Sequence, residues 1–233
     1  MNNYLPYKIQ NQLMRHFPFE HLVIENFLDD DFYLGLKNNL PLNEQLDTLE
    51  KVRGTKGYDQ RYVCSLKKNQ PIASSEKINT YYVNSLTEEL LSNYFANALI
   101  AKFPAAAQRA QKKINDEGKG LAIEAYFVND RSGYALGPHT DTPNKLITGL
   151  LYFPDEGAPD SLGTSLYVRK GAQKKQDTGN LHLDKKDFLE VFRVPFKQNT
   201  ALFFARSSSS FHGVEGPIVH PRKLIIMDIF ITK

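Results

Sequence analysis

Two kinds of apolar spacing divide the chain, with a helical period in the first half and extended runs in the second. Apolar residues at helical spacing predict a helix from Thr87 to about residue 103, which Pro104 ends or kinks. The residues on its apolar face are Leu90, Leu91, Tyr94, Phe95, Ala98 and Leu99. An Ala-, Gln- and Lys-rich segment then predicts a second helix to about Asn115.

The N-terminal segment predicts one strand and one helix before a long polar stretch. Residues 21–28, HLVIENFL, are typical of a strand, and Asp29, Asp30 and Asp31 offer N-caps for a helix over residues 32–39 that stops at Pro41. Residues 43–80 are polar, and GTKGYDQ at 54–60 indicates a loop.

After Gly120 the pattern changes to runs rich in β-branched and aromatic residues, separated by turn residues. The predicted strands cover 121–129, 145–153, 163–168, 188–194, 200–205 and 223–231. Strands that follow helices in this way indicate an α+β, mainly β fold with an antiparallel sandwich or jelly-roll core. We expect one domain over residues 1–233, with a mainly helical part at 1–119 and the core at 120–233.

Composition narrows the class of protein. The chain has 233 residues with 29 Lys and Arg against 26 Asp and Glu, a net charge of +3 that is too balanced for a protein that coats nucleic acid. One cysteine, Cys64, excludes an intramolecular disulfide and a cysteine-rich zinc site. No signal-peptide or membrane-span pattern occurs, so we expect a cytoplasmic protein with no membrane or nucleic-acid partner.

The candidate chemistry begins at Gly137-Pro138-His139-Thr140-Asp141. His139 and Asp141 lie two residues apart, so on an extended chain both side chains project from one face. A second histidine, His212, lies at a predicted strand edge far downstream. Two imidazoles and one carboxylate on one face of an octahedron form the ligand set of non-haem Fe(II) oxygenases.

A basic residue strengthens this interpretation. Arg222 comes ten positions after His212 and opens the last apolar strand. Among the six histidines only His212 has a basic residue at that spacing, although His182 comes near it with Arg193 eleven positions on.

With these residues in place, the sequence resembles the Fe(II)- and 2-oxoglutarate-dependent dioxygenases, particularly the prolyl-hydroxylase-like branch. The matching segments occur in family order over roughly residues 120–231: GPHTD (137–141), LITGLLYFP (146–154), GTSLYV (163–168), NTALFFA (199–205), FHGV (211–214) and RKLIIMDIF (222–230). The resemblance implies a double-stranded β-helix, an eight-stranded jelly roll with N-terminal helices packed on one sheet.

The resemblance also implies roles for individual residues. His139, Asp141 and His212 correspond to the catalytic iron ligands, and Arg222 to the partner of the distal carboxylate of 2-oxoglutarate. Tyr152 and Tyr126 are further candidates for the co-substrate pocket, with a core aromatic as the alternative for each. The implied cofactors are Fe(II), 2-oxoglutarate and O2, with ascorbate as an additional candidate. The implied reaction hydroxylates a small-molecule or peptide substrate and releases succinate and CO2.

The chain departs from the family pattern at two places and from its nucleic-acid repair branch at a third. Gly163-Thr164-Ser165-Leu166 stands where relatives often carry Gly-Gly-x-Leu. Leu224 stands two positions after Arg222 in place of a second polar anchor. Asp228 stands six positions after Arg222, where the nucleic-acid repair relatives usually carry a second arginine.

Several alternatives stay open. A cupin-type metal-binding jelly roll, acting as an isomerase or a sugar-binding module, could use the same ligands without Arg222. The lysine-rich segment at 169–187 could be a lid that attracts an anionic substrate or a solvated surface loop. Substrate identity and oligomeric state are not determined at this level.

Overall fold

The computed structural model describes residues 4–68, 70, 79–171 and 183–232. Within them the helices are α1 (Tyr4–Asn11), α2 (Asp30–Lys37), α3 (Leu49–Arg53), α4 (Tyr81–Leu90), α5 (Asn93–Lys102) and α6 (Pro104–Glu117). The strands are β1 (His21–Ile24), β2 (Asp47–Thr48), β3 (Arg61–Leu66), β4 (Leu121–Asp130), β5 (Leu136–His139), β6 (Lys145–Tyr152), β7 (Ser165–Arg169), β8 (Phe188–Arg193), β9 (Ala201–Ala205), β10 (His212–Val214) and β11 (Arg222–Ile231).

The strands form two facing antiparallel sheets. The larger sheet has the order β1-β9-β6-β11-β4-β3-β2, and the smaller has the order β5-β10-β7-β8. The eight strands β4 to β11 are divided between the sheets as in a jelly roll: β7 and β8 are neighbours in the smaller sheet, and every remaining step along the chain crosses to the facing sheet. This confirms the predicted fold class. The strands β1, β2 and β3, which come from the part expected to be mainly helical, extend the larger sheet at both edges.

Two apolar layers hold this arrangement together. Outward-facing residues of the larger sheet, including Phe127, Ile225 and Met227, pack against the helices. Alternate residues of the same strands, including Val128 and Leu224, face inward and pack between the sheets. The alternation follows from the two-residue period of a strand, and it places one face of β4 and β11 in the interior of the jelly roll.

The N-terminal predictions are partly confirmed. Asp29 caps α2 by accepting from the backbone N–H groups of Asp31 and Phe32. The strand predicted over 21–28 is shorter and ends at Ile24, because Asn26 turns the chain with a φ of 49°.

One predicted boundary in the helical region is wrong, whereas the expected end of a helix before Pro104 is confirmed, since α5 ends at Lys102. Thr87 does not begin a helix: it lies inside α4, where its hydroxyl donates to the carbonyl of Val83. The helix boundary lies instead at Ser92, whose side chain accepts from the N–H of Phe95 and starts α5. Pro104 is the first residue of α6, a position where a proline costs no hydrogen bond.

The polar stretch at 43–80 is not simply a loop. It contains β2, α3 and β3, and β3 pairs with β4 along its whole length. Residues 54–60 lie outside helices and strands, as expected. In the described part of the chain, no helix is long and apolar enough to cross a membrane.

Candidate active site

The three candidate metal ligands come from the smaller sheet and the turn that follows it. His139 is the last residue of β5, and His212, the first residue of β10, lies directly opposite it in the antiparallel register. Asp141 follows β5 by two residues. One potential ligand atom from each of the three lies within 4.8 Å of the other two, and all three side chains are buried. The structure therefore brings together the residues that the sequence predicted to converge.

Backbone carbonyls orient both imidazoles. Nδ1 of His139 lies 3.0 Å from the carbonyl oxygen of Gly137, and Nδ1 of His212 lies 3.0 Å from that of Ser210. Because a carbonyl only accepts, each Nδ1 carries the proton and each Nε2 keeps its lone pair. This is the tautomer in which a histidine binds a metal through Nε2.

The charge state of the cluster also suits a metal. Burial by itself would raise the pKa of Asp141, but the Lys145 ammonium and the two imidazoles hold it well below its usual range. Burial lowers the pKa of His212, so this imidazole is neutral at pH 7. A deprotonated carboxylate and a neutral imidazole are the protonation states that ligate a divalent cation.

Two neighbours on β6 hold the Asp141 carboxylate in place. The hydroxyl of Thr148 donates to Oδ2 at 2.8 Å, and Nζ of Lys145 lies 3.0 Å from Oδ1. The same Nζ lies 3.0 Å from Oδ1 of the buried Asp228 on β11. The sequence does not mark Lys145 or Thr148 as site residues, because a single lysine or threonine in an apolar strand gives no indication of the group that it will contact.

The ligand cluster opens on a cavity of about 160 Å³ between the two sheets. Its walls include the three ligands, inward-facing residues of β4 and β11, and Tyr58 from the 54–60 loop. A cavity of this size holds one molecule about as large as benzene. The site therefore has room for a small organic ligand next to the His-Asp-His cluster.

Arg222 lines the same cavity and is almost completely buried. Its guanidinium donates to the carbonyl of Leu162 from Nε at 2.8 Å, to Asp130 Oδ2 from Nη1 at 3.0 Å, and to Thr164 Oγ1 from Nη2 at 3.0 Å. Three of its five N–H groups are used in these bonds and the guanidinium also contacts the Tyr152 hydroxyl, so at least one N–H group stays available to a ligand.

The two tyrosine candidates occupy different places. Tyr126 lines the cavity; its hydroxyl donates to Oε2 of Glu124 at 3.0 Å, and burial raises its pKa to about 12. Tyr152 is fully buried behind the cavity wall, where its hydroxyl donates to Thr164 Oγ1 at 2.7 Å and its ring lies 5.5 Å from the guanidinium carbon of Arg222. Tyr152 therefore contacts the pocket through Thr164 and Arg222.

The cavity wall includes a further arginine, Arg61, that the sequence patterns did not single out. Arg61 on β3 donates to Asp130 Oδ1 from Nε at 2.6 Å and to Oδ2 from Nη2 at 2.9 Å. The available signal was the run RYVCSL at 61–66, which is bounded by turn residues and has strand composition. The polar residues on both sides of this run made the whole stretch resemble a loop.

The proposed lid lies mostly outside the described residues, which omit 172–182. At its described ends, Nζ of Lys170 donates to the carbonyl of Lys186, and Lys185 pairs with Glu215. The lid stays a prediction.

The sequence matches no protein-family model and no curated protein. Solved structures resemble it, however, over nearly its whole length. A prolyl hydroxylase from Trichoplax adhaerens, in complex with a hypoxia inducible factor oxygen degradation domain peptide fragment, has a TM-score of 0.52 at 12% identity, over 98% of this chain and 88% of that one. The chain has the prolyl-hydroxylase fold.

Two other solved structures support the same fold. A prolyl 4-hydroxylase from Phytophthora capsici has a TM-score of 0.53 at 14% identity, over 99% of this chain and 65% of that one. The non-heme alpha ketoglutarate dependent epimerase SnoN, from nogalamycin biosynthesis, has a TM-score of 0.51 at 12% identity, over 97% of this chain and 79% of that one. Proteins with the prolyl-hydroxylase fold thus include enzymes with different reactions, so the fold alone does not define the substrate.

Proposed function

We propose that the protein is an Fe(II)- and 2-oxoglutarate-dependent dioxygenase that hydroxylates a small molecule or a peptide side chain. The observation that carries this proposal is that a His-Asp-His cluster and a buried arginine line one cavity. The cluster alone would suit many divalent metals, and the arginine alone would suit many anions. Together they match a 2-oxo acid that chelates a metal at one end and carries a carboxylate at the other.

His139, Asp141 and His212 would hold the iron. Three protein ligands leave coordination positions open for other molecules, as an oxygenase requires. The residues present fit the ion, since both Nε2 atoms keep their lone pairs and the Asp141 carboxylate is ionised. Iron, 2-oxoglutarate and O2, when bound, would supply the oxidative decarboxylation that releases succinate and CO2, with one oxygen atom of O2 going to succinate and the other to the hydroxylated substrate.

The protein's own residues would bind and orient the co-substrate. Arg222 offers at least one remaining N–H group to the distal carboxylate in a buried position, where a charge-assisted hydrogen bond is strong. Thr164 accepts from both Tyr152 and Arg222, so these contacts restrict the orientation of the guanidinium. The apolar walls formed by Val128, Leu150 and Leu224 limit the access of water to the ligand.

The test is an anaerobic titration of the Fe(II)-loaded protein with 2-oxoglutarate, followed by aerobic turnover against a panel of metabolites and peptides. We expect saturable binding of 2-oxoglutarate and succinate formation that rises with one class of substrate. Metal binding without any affinity for 2-oxoglutarate would contradict the proposal and favour a cupin-type protein.

A further inference from the structure

Three charged side chains form a row across three neighbouring strands. Asp130 on β4 lies directly opposite Arg61 on β3 on one side and directly opposite Arg222 on β11 on the other. Residues that are directly opposite in a sheet project from the same face, so all three side chains point into the jelly roll. The row is thus an arginine, an aspartate and an arginine, in that order.

Asp130 draws the two guanidinium groups together. Its Oδ2 accepts from Nη2 of Arg61 at 2.9 Å and from Nη1 of Arg222 at 3.0 Å. Because both nitrogens contact one oxygen atom, they are no more than about 6 Å apart. Both arginines line the cavity, while Asp130 is fully buried beneath them.

The row carries an uncompensated positive charge. Two guanidinium groups and one carboxylate sum to +1, and the side chains in contact with them, such as Thr164 and Tyr134, are neutral at pH 7. Burial would lower the pKa of Arg61, but Asp130 raises it further, so the guanidinium stays charged. A buried charge without a counter-ion is costly, so the row is suited to bind one monovalent anion from the cavity.

We propose that Arg61 is a second binding residue for the distal carboxylate of the 2-oxo acid, with Asp130 spacing it from Arg222. This inference rests on the proposed function. The two bonds from Arg61 to Asp130 use Nε and Nη2, and so leave the N–H groups of Nη1 for a ligand. A carboxylate that lies between the arginines can accept from both of them, one oxygen atom for each guanidinium.

The sum of the charges explains why Arg222 alone is not sufficient to bind the distal carboxylate. Without the charge of Arg61, the carboxylate of Asp130 would neutralise Arg222, and an incoming carboxylate would meet no net positive charge. The positive charge of Arg61 therefore offsets the negative charge of Asp130, and the Asp130 carboxylate orients both guanidinium groups.

The first experiment measures equilibrium binding to the Mn(II)-loaded full chain by calorimetry. The two ligands are 2-oxoglutarate and 2-oxopentanoate, which has the same chain length but carries a methyl group in place of the distal carboxylate. We expect Arg61→Met to weaken 2-oxoglutarate about ten- to a hundred-fold and to change 2-oxopentanoate little. Arg131→Met is the matched control, because Arg131 is nearby but stacks on the ring of Tyr62 and does not line the cavity.

The second experiment restores the charge. Adding Asp130→Asn to Arg61→Met returns the row to +1, so the double variant should bind 2-oxoglutarate more tightly than Arg61→Met alone. A purely structural role of Arg61 would give no such recovery. Arg61→Lys, which keeps the charge, should lose less affinity than Arg61→Met and serves as the test if Arg61→Met does not fold.

The outcomes separate this inference from the proposed function. If the wild-type protein does not bind 2-oxoglutarate, the proposed function fails and this inference fails with it. If the wild-type protein binds and the Arg61 variants bind equally well, or lose both ligands to the same extent, only the role of Arg61 is overturned.

Discussion

Nη1 of Arg222 donates to Oδ2 of Asp130 at 3.0 Å, although 92 positions separate the two residues in the chain. The register of β11 against β4 places them directly opposite each other, and the bond is almost completely buried. The contact holds the guanidinium at the wall of the cavity, where the proposed co-substrate would end.

Substituting Arg222 by Met should lower the affinity for 2-oxoglutarate about ten- to several-hundred-fold. The variant loses a charge-assisted contact in a buried pocket, which is worth roughly 1.5–3 kcal/mol or more. Arg222→Lys should recover part of the affinity, because lysine keeps the charge but lacks the planar fork. The measurement is an anaerobic titration of the Fe(II) protein. Lys223→Met is the control, since Lys223 pairs with the partly exposed Asp155. Equal affinity for 2-oxoglutarate in the wild type and all the variants, with iron retained, would show that Arg222 does not bind the distal carboxylate.

Substituting Asp141 by Ala should lower the affinity for Fe(II) or Mn(II) at least about a hundred-fold, because it removes the only anionic member of the three ligands. Succinate formation should be lost with it. The fold should remain, since the apolar layers of the jelly roll do not depend on the metal. Calorimetry measures the metal affinity, and the thermal midpoint by circular dichroism shows whether the fold remains. In the control Asp155→Ala both should stay unchanged, and metal affinity preserved in Asp141→Ala would refute the ligand assignment.

Substituting Gly163 by Ala should destabilise the protein by about 2–3 kcal/mol, through overpacking against the backbone. An added Cβ would lie 1.6 Å from the carbonyl oxygen of Val194, which can yield only if the chain shifts. Because Thr164 is the next residue, affinity for 2-oxoglutarate should fall as well. Gly157→Ala is a useful comparison: its Cβ would meet nothing within 4 Å, but its φ of 74° costs about 1 kcal/mol in an alanine. Urea unfolding measures both, and equal stability losses would contradict the packing argument.

The metal-free protein should lose stability as the pH falls below about 6.5, the pKa of an unperturbed histidine. Burial lowers the pKa of both His21 and His212 in the folded state. Above pH 6.5 these imidazoles are neutral in the folded and unfolded chains alike, so they do not make the free energy of unfolding depend on pH. Below it the unfolded chain binds protons that the folded chain does not, and each histidine lowers the free energy of unfolding by up to about 1.4 kcal/mol per pH unit.

Urea unfolding with EDTA between about pH 7 and pH 5 measures this dependence. His21→Gln should reduce the slope, and the difference from the wild type isolates one histidine from the carboxylates that also titrate. His220→Gln is the control because His220 is exposed. If the slopes of the wild type and His21→Gln coincide, the burial argument fails.

His139, Asp141, His212 and Arg222 could be proposed as site residues because their signals are local or depend on one spacing. His139 and Asp141 lie two residues apart next to a strand, and His212 precedes Arg222 by ten positions. The strands β4, β6, β9 and β11 could be predicted for the same reason, since each is a continuous apolar run whose composition favours a strand.

The tertiary structure decided which polar residues surround these groups. Arg61 and Asp130 are 69 positions apart, and nothing in either local sequence indicates that they meet. Their contact arises because β3, concealed in a polar stretch, pairs with β4 in one particular register. Lys145 likewise lies within 3.0 Å of both Asp141 and Asp228 only because β6 pairs with β11.

The physical reason for this division is the range of each interaction. Composition and spacing along the chain decide whether a segment forms a strand and which of its side chains share a face. Sheet register decides which side chains face each other across strands, and it is set by the burial of the whole apolar surface together. The sequence by itself therefore determined the fold class of this protein and the candidate ligand set. Only the assembled sheets determined the charged row of Arg61, Asp130 and Arg222.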